Sequence, residues 1–211
     1  MRGGFVRRPS NYDQMRDQMA REILRRDLRP AIRRFALRTD AGFLYLRFIG
    51  QDYRVSLKTG LPESSSDGFQ TVRLAGYNEA MTIYDVLGDS KPDCRLSGRF
   101  VAVNALPGVV QSASLGGNLF AGAAKFFDDR PEALCSACEV LGGIPFGVGD
   151  VAYRLPLFDF LPVVLQFWAS DDEFPPAVKF LWDENTLDFL HYETTWFAAS
   201  ALLARLESLC G

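Results

Sequence analysis

The order of amino acids predicts an α+β fold: a mostly antiparallel sheet with N-terminal and C-terminal helices packed on it. Three observations carry this. Apolar residues recur at steps of three and four near both ends of the chain and alternate at steps of two between them. The segments run helix, hairpin, helix, further helices, meander and closing helix, without the strand–helix alternation of a parallel sheet. The link between the last two strands is too short for a parallel crossover.

Residues 1–10 read as a flexible N-terminus, followed by a single domain over 11–211. Tyr12, Met15, Met19, Ile23, Leu24 and Leu28 set a helical period from about residue 11 to 28, with Ser10 or Asn11 as its cap. Pro30 suits the first turn of a second, short helix carrying Ile32, Phe35 and Ala36. "GFLYLRFIG" and "QDYRVSLKT" then form a hairpin around Gly50-Gln51. "LPESSSDG" (61–68) reads as a polar loop open to proteolysis. "YNEAMTIYDVLG" is a helix ending at Gly88, and "RFVAV" a short strand. Residues 113–127 read as helical, and Pro131 opens "PEALCSACEVL", closed by Gly142-Gly143. "VAYRLPLF", "PVVLQFW" and "AVKFLW" are three strands. The last helix runs from about Glu193 to Leu209, with Trp196, Ala199, Leu203 and Leu206 as its buried seam.

The chain of 211 residues is long enough to bury a sizeable core. No run reaches the ~18 apolar residues of a membrane span. The first residues carry Arg but no apolar stretch of a secretory signal, so a cytoplasmic location and four free cysteines are expected. Residues 1–40 hold eleven Arg and five acids, an excess of six positive charges. The net charge of −3 leaves −9 on the remainder. The interspersed acids favour a basic helix lying on an acidic surface of the same fold. The alternative is a docking face for a partner.

The candidate functional residues cluster late in the chain. "FWASDDEFPP" places Asp171, Asp172 and Glu173 beside Trp168 in a loop whose Pro175 pushes Phe174 towards extended geometry. The strand after Pro176 is about 20 Å long at ~3.3 Å per residue. Asp183 and Glu184 therefore fall at the far end of the hairpin. The two acidic groups cannot act as one carboxylate pair, which needs a separation of about 5–10 Å. Three neighbouring acids also suit a turn that binds its own amides. His191, the only histidine, stands at the start of the last helix near Glu193, as a lone base or a capping residue.

Cys135 and Cys138 form C-x-x-C within a helix. No second pair completes a zinc site, and Cys138 shares an apolar face with Leu134 and Leu141. "LGGN" (115–118) and "LGGIPFGVGD" (141–150) match neither phosphate-binding glycine pattern, and no serine-hydrolase elbow occurs. Aromatic residues around the last hairpin lack interleaved bases, so nucleic acid is not an expected partner.

The stretch from Leu141 to Thr194 resembles the prokaryotic family called domain of unknown function 3786. The resemblance rests on Gly142 and Gly143, Gly149 and Asp150, Pro162, and Trp168 with Asp172, Glu173, Phe174 and Pro175, then Asp183 and Glu193. "SGRFVAV" and the first hairpin extend the likeness over most of the chain past residue 10. It implies no assigned activity; its members occur mainly in anaerobes, some beside iron–sulfur or corrinoid proteins.

These residues lead to one expectation and two rivals. The expectation is a binding or accessory module for a small molecule or a protein, with contacts at Trp168, Asp171, Asp172, Glu173, His191 and Glu193. One rival is an enzyme, a hydrolase first, using Asp172 or Glu173 as base or as divalent-cation ligands. The other is an interaction protein acting through the Arg-rich helix. The residues name no cofactor and no metal centre.

Overall fold

A computed structural model describes residues 10–109 and 120–211. Among these, six α-helices accompany one ten-stranded antiparallel sheet. The helices are α1 (Asn11–Ile23), α2 (Arg29–Arg34), α3 (Tyr77–Asp89), α4 (Ala121–Phe127), α5 (Pro131–Val140) and α6 (Tyr192–Cys210). The strands are β1 (Arg38–Thr39), β2 (Phe43–Phe48), β3 (Gln51–Ser56), β4 (Pro62–Ser65), β5 (Arg73–Leu74), β6 (Phe100–Ala102), β7 (Ile144–Pro145), β8 (Val151–Phe158), β9 (Leu161–Trp168) and β10 (Ala177–Asp183). The α+β class, with helices packing on the sheet, is as the periodicity predicts. The 113–119 part of the expected fourth helix and the Gly116-Gly117 pair lie outside the described residues, as do residues 1–9.

The sheet runs β5-β4-β3-β2-β8-β9-β10-β6, with β1 on β2 and β7 on β8. Its two halves meet at a narrow seam. Phe48 faces Phe158 there, the Ile49 amide donates to the Leu157 carbonyl, and the two rings lie 4.8 Å apart. Along β8 the residues Val151, Tyr153, Leu155 and Leu157 are all buried, and their partners Val163, Leu165 and Phe167 on β9 are wholly so. This alternation is the period-two pattern of a sheet with one face on the core.

Four local expectations are corrected. The first helix stops at Ile23, not near 28. Continued, its carbonyl at Arg26 would meet the ring of Pro30, and Asp27 instead accepts the Arg29 amide at 3.1 Å. Its buried face is Arg16, Ala20 and Ile23, whereas Tyr12, Met15 and Leu24 are exposed. Arg16 enters because its guanidinium bonds the Ala75 carbonyl and Asp17. The first hairpin turns on Ile49-Gly50, both at positive φ, one residue earlier than Gly50-Gln51. The stretch 61–68 is not an open loop: β4 occupies 62–65 and pairs with both β3 and β5, burying Pro62, Ser64 and Ser65.

One glycine fixes how α1 meets the sheet. Gly60 has φ +76°, and a Cβ there would overlap the Ala20 carbonyl of α1. Only glycine permits this approach.

Candidate functional site

The acidic loop is held by one of its own carboxylates and by two from elsewhere in the fold. Asp171 accepts the amides of Glu173 and Phe174 at 2.8 and 2.7 Å. Asp128 takes the Ser170 amide and hydroxyl, and Asp150 takes the Ala169 amide. Asp172 and Glu173 are exposed, as is Phe174. Trp168 is half-buried, with the Lys179 ammonium 4.8 Å above its ring. Strands β9 and β10 pair from Trp168↔Ala177 to Val163↔Trp182, which sets the two acidic groups at opposite ends of the hairpin.

At that far end Asp183 is wholly buried. It accepts the amides of Ser97, Gly98 and Asn185 and the Ser97 hydroxyl, at 2.8–3.1 Å. It thereby ties the loop before β6 to the end of β10. Glu184 pairs with Arg99.

His191 is the N-cap residue of α6, and its side chain makes no cap bond. It turns instead to Asp85 on α3, whose carboxylate accepts both the His191 amide and the ring Nδ1–H. Asp89, one turn on, joins them: a His191 ring nitrogen and one carboxylate oxygen from each Asp lie within 4.8 Å of one another. Arg26 reaches the same place from beyond α1, bonding Asp89 at 2.5 Å and the Gly88 carbonyl at 2.8 Å. Arg26 and the His191 ring thus meet the two carboxylates at one place. Glu193, in the first turn of α6, is exposed. The residues expected at one site therefore fall at two places, the tip of the β9–β10 hairpin and the start of α6.

The C-x-x-C residues lie on α5, with Cys138 wholly buried and Cys135 partly so. Burial raises the Cys138 thiol above its ordinary pKa. It is a core residue, not an activated nucleophile.

A cleft of about 720 Å³ opens between α1, α3 and α6, over the ends of β3 and β5. This falls in the ordinary size range of small-molecule sites. The cause is written along α6. Ser200, Ala204 and Ser208 follow Trp196 at steps of four, so one row of the helix is small after a large ring. The neighbouring row holds Phe197, Ala201 and Arg205. Tyr77 closes the aromatic wall, its ring 5.5 Å from Phe197 and 5.1 Å from Tyr12.

The floor is polar and rigid. Glu79 on α3 accepts from the Tyr53 hydroxyl, the Arg73 guanidinium and the Gly76 amide, each at 2.5 Å. Burial pushes the Glu79 carboxyl up, but the bonds from Arg73, Tyr53 and Gly76 outweigh it, and its pKa is lowered. Burial, then the adjacent Glu79 charge, raises the Tyr53 phenol. A carboxylate held by three donors and a phenol kept protonated are poor general bases at neutral pH. Glu79 and Arg73 give the cleft its charged floor, and Tyr53 holds Glu79 in place from the core side.

Of the residues expected as contacts, Trp168, Asp171, Asp172, Glu173, His191 and Glu193, none lines this cleft. The available signal was the row of small residues on α6, which marks volume left unfilled.

A helix-covered antiparallel sheet with a cleft at its helical layer is the class of object these observations define. The chain matches the family described as Domain of unknown function (DUF3786) over residues 27–205, and it belongs to that family. No curated protein and no solved structure matches it. No helix among the described residues is long and apolar enough to cross a membrane.

Proposed function

We propose that the chain is a binding module that holds a small molecule in the cleft between α1, α3 and α6. The observation that carries this is the cleft's construction: aromatic walls from Tyr77, Trp196 and Phe197 over a floor of Glu79 and Arg73, with the buried Tyr53 hydroxyl fixing Glu79 from behind. Ligand sites have this composition, an apolar wall with a few placed polar groups. The locked state of Glu79 favours binding over acid–base catalysis. The test is native mass spectrometry of the purified protein beside Ala204→Phe. Ala204 is an exposed position of α6 that lines the cleft, so the added ring fills the cleft at a helix-propensity cost of only about 0.5 kcal/mol. Small molecules retained by the parent and lost from Ala204→Phe support the reading. Equal retention by both would refute it.

A second reading places an accessory partner at the acidic loop. The observation that favours it is Phe174, 65% exposed beside Asp172 and Glu173. The rival cation site on Asp172 and Glu173 makes a different prediction: Ca²⁺, Mg²⁺ or Mn²⁺ would raise the melting temperature, and Asp172→Ala would abolish the rise.

A further inference from the structure

Arg205 is the anomaly of the cleft. Its Nε is fully buried and has no hydrogen-bond partner. No carboxylate pairs with its guanidinium among the described residues. Residues 1–9 and 110–119 contain no Asp or Glu that could do so. The cleft is therefore lined by two guanidiniums, Arg73 and Arg205, and one carboxylate, Glu79, which Arg73 already holds. One positive charge is left over. The Nε itself is closed off from the cleft, so a ligand would meet the outer Nη groups of this guanidinium, which no carboxylate of the chain neutralises.

Resting on the small-molecule reading above, we infer that the ligand is an organic anion: a carboxylate or phosphate head bound by Arg205, with a flat apolar body against Tyr77, Trp196 and Phe197. The guanidinium fork matches either head group in two parallel hydrogen bonds. The aromatic wall stacks a planar body and excludes water from the ion pair, which strengthens it. Ser208, one turn-fraction beyond Arg205 on α6, and Asn78 on α3 line the same cleft and supply neutral polar contacts. Lysine would not substitute at position 205, because a single ammonium cannot present the two parallel donors of a guanidinium fork.

The experiment uses three matched probes, 2-naphthoate, 2-naphthyl phosphate and the neutral 2-naphthamide, titrated by calorimetry into the full chain, Arg205→Gln, Arg205→Lys and Ala204→Phe. The expected result is that the carboxylate or the phosphate binds at least about tenfold more tightly than the amide. Which of the two anions binds better identifies the head group. The preference is lost in Arg205→Gln and largely lost in Arg205→Lys. Neither replacement removes an internal hydrogen bond of the side chain, so thermal unfolding should stay near that of the parent. Equal binding of anion and amide, abolished by Ala204→Phe, would overturn the anionic class and leave the cleft reading standing. No binding of any probe, or binding untouched by Ala204→Phe, would overturn both.

Discussion

Asp85 joins two helices at His191: one carboxylate oxygen takes the His191 amide at 2.7 Å and the other the ring Nδ1–H at 2.6 Å. The hydrogen bond to Asp85, then its charge, raises the His191 pKa against a smaller opposing effect of burial. A group whose folded pKa is raised adds stability below its unfolded value, about 6.5, and loses that contribution as pH rises through the folded value. The melting-temperature gap between the parent and His191→Gln should therefore be widest at a pH below about 6.5 and narrow as pH rises above it. A gap that widens with rising pH would contradict the pairing.

Asp183 carries the second prediction. It is wholly buried and accepts four hydrogen bonds from Ser97, Gly98 and Asn185. Asp183→Ala leaves three main-chain amides without that acceptor. It should lower the free energy of unfolding by about 3 kcal/mol in urea titration, whereas the exposed Asp172→Ala should change it by less than about 0.5 kcal/mol.

Gly60→Ala tests the approach of α1 to the sheet. The new Cβ would have to displace the Ala20 carbonyl while holding a positive φ. The expected cost is more than about 2 kcal/mol in the same titration. Gly68→Ala, also at positive φ but with nothing near its Cβ, should cost less.

Thiol chemistry separates the cysteines. Cys138 is wholly buried with a raised pKa, so in the native protein iodoacetamide should modify Cys135, Cys94 and Cys210 well before it. Peptide mass spectrometry reads the order. Modification of Cys138 first would mean that the α5 face is open.

Much of the fold was legible where side chains are bulky. The strands β8, β9 and β10 alternate or run apolar between Pro and Gly punctuation, and Pro175-Pro176 ends the reversal between the last two. β4 was missed because "PESS" has no apolar residue beyond Pro62. Its burial comes from pairing on both sides, which hydropathy does not report. On α1 the buried stripe shifted because charge pairing outweighed hydropathy: Arg16 is buried on Asp17 and Ala75, while Tyr12 and Met15 face outward. The site was harder to read. Tyr53, Arg73 and Glu79 come from three separate elements, and nothing in their spacing announces that they meet. The acids of 171–173 drew attention through density alone, yet Asp171 is spent on the turn. What α6 did reveal, to a reading for volume, was the row Ser200, Ala204, Ser208.

The cleft is tested most directly by ¹H–¹⁵N spectra of the full chain during titration with 2-naphthoate. The Arg205 Nε–H, the Trp196 indole N–H and the side-chain amides of Gln51 and Asn78 all belong to cleft residues and report in one experiment. The account predicts saturable shifts at these groups, largest at Arg205, with the amides of Asp172 and Glu173 unmoved. Saturable shifts at 171–174 with Arg205 and Trp196 still would contradict it and move the site to the acidic loop.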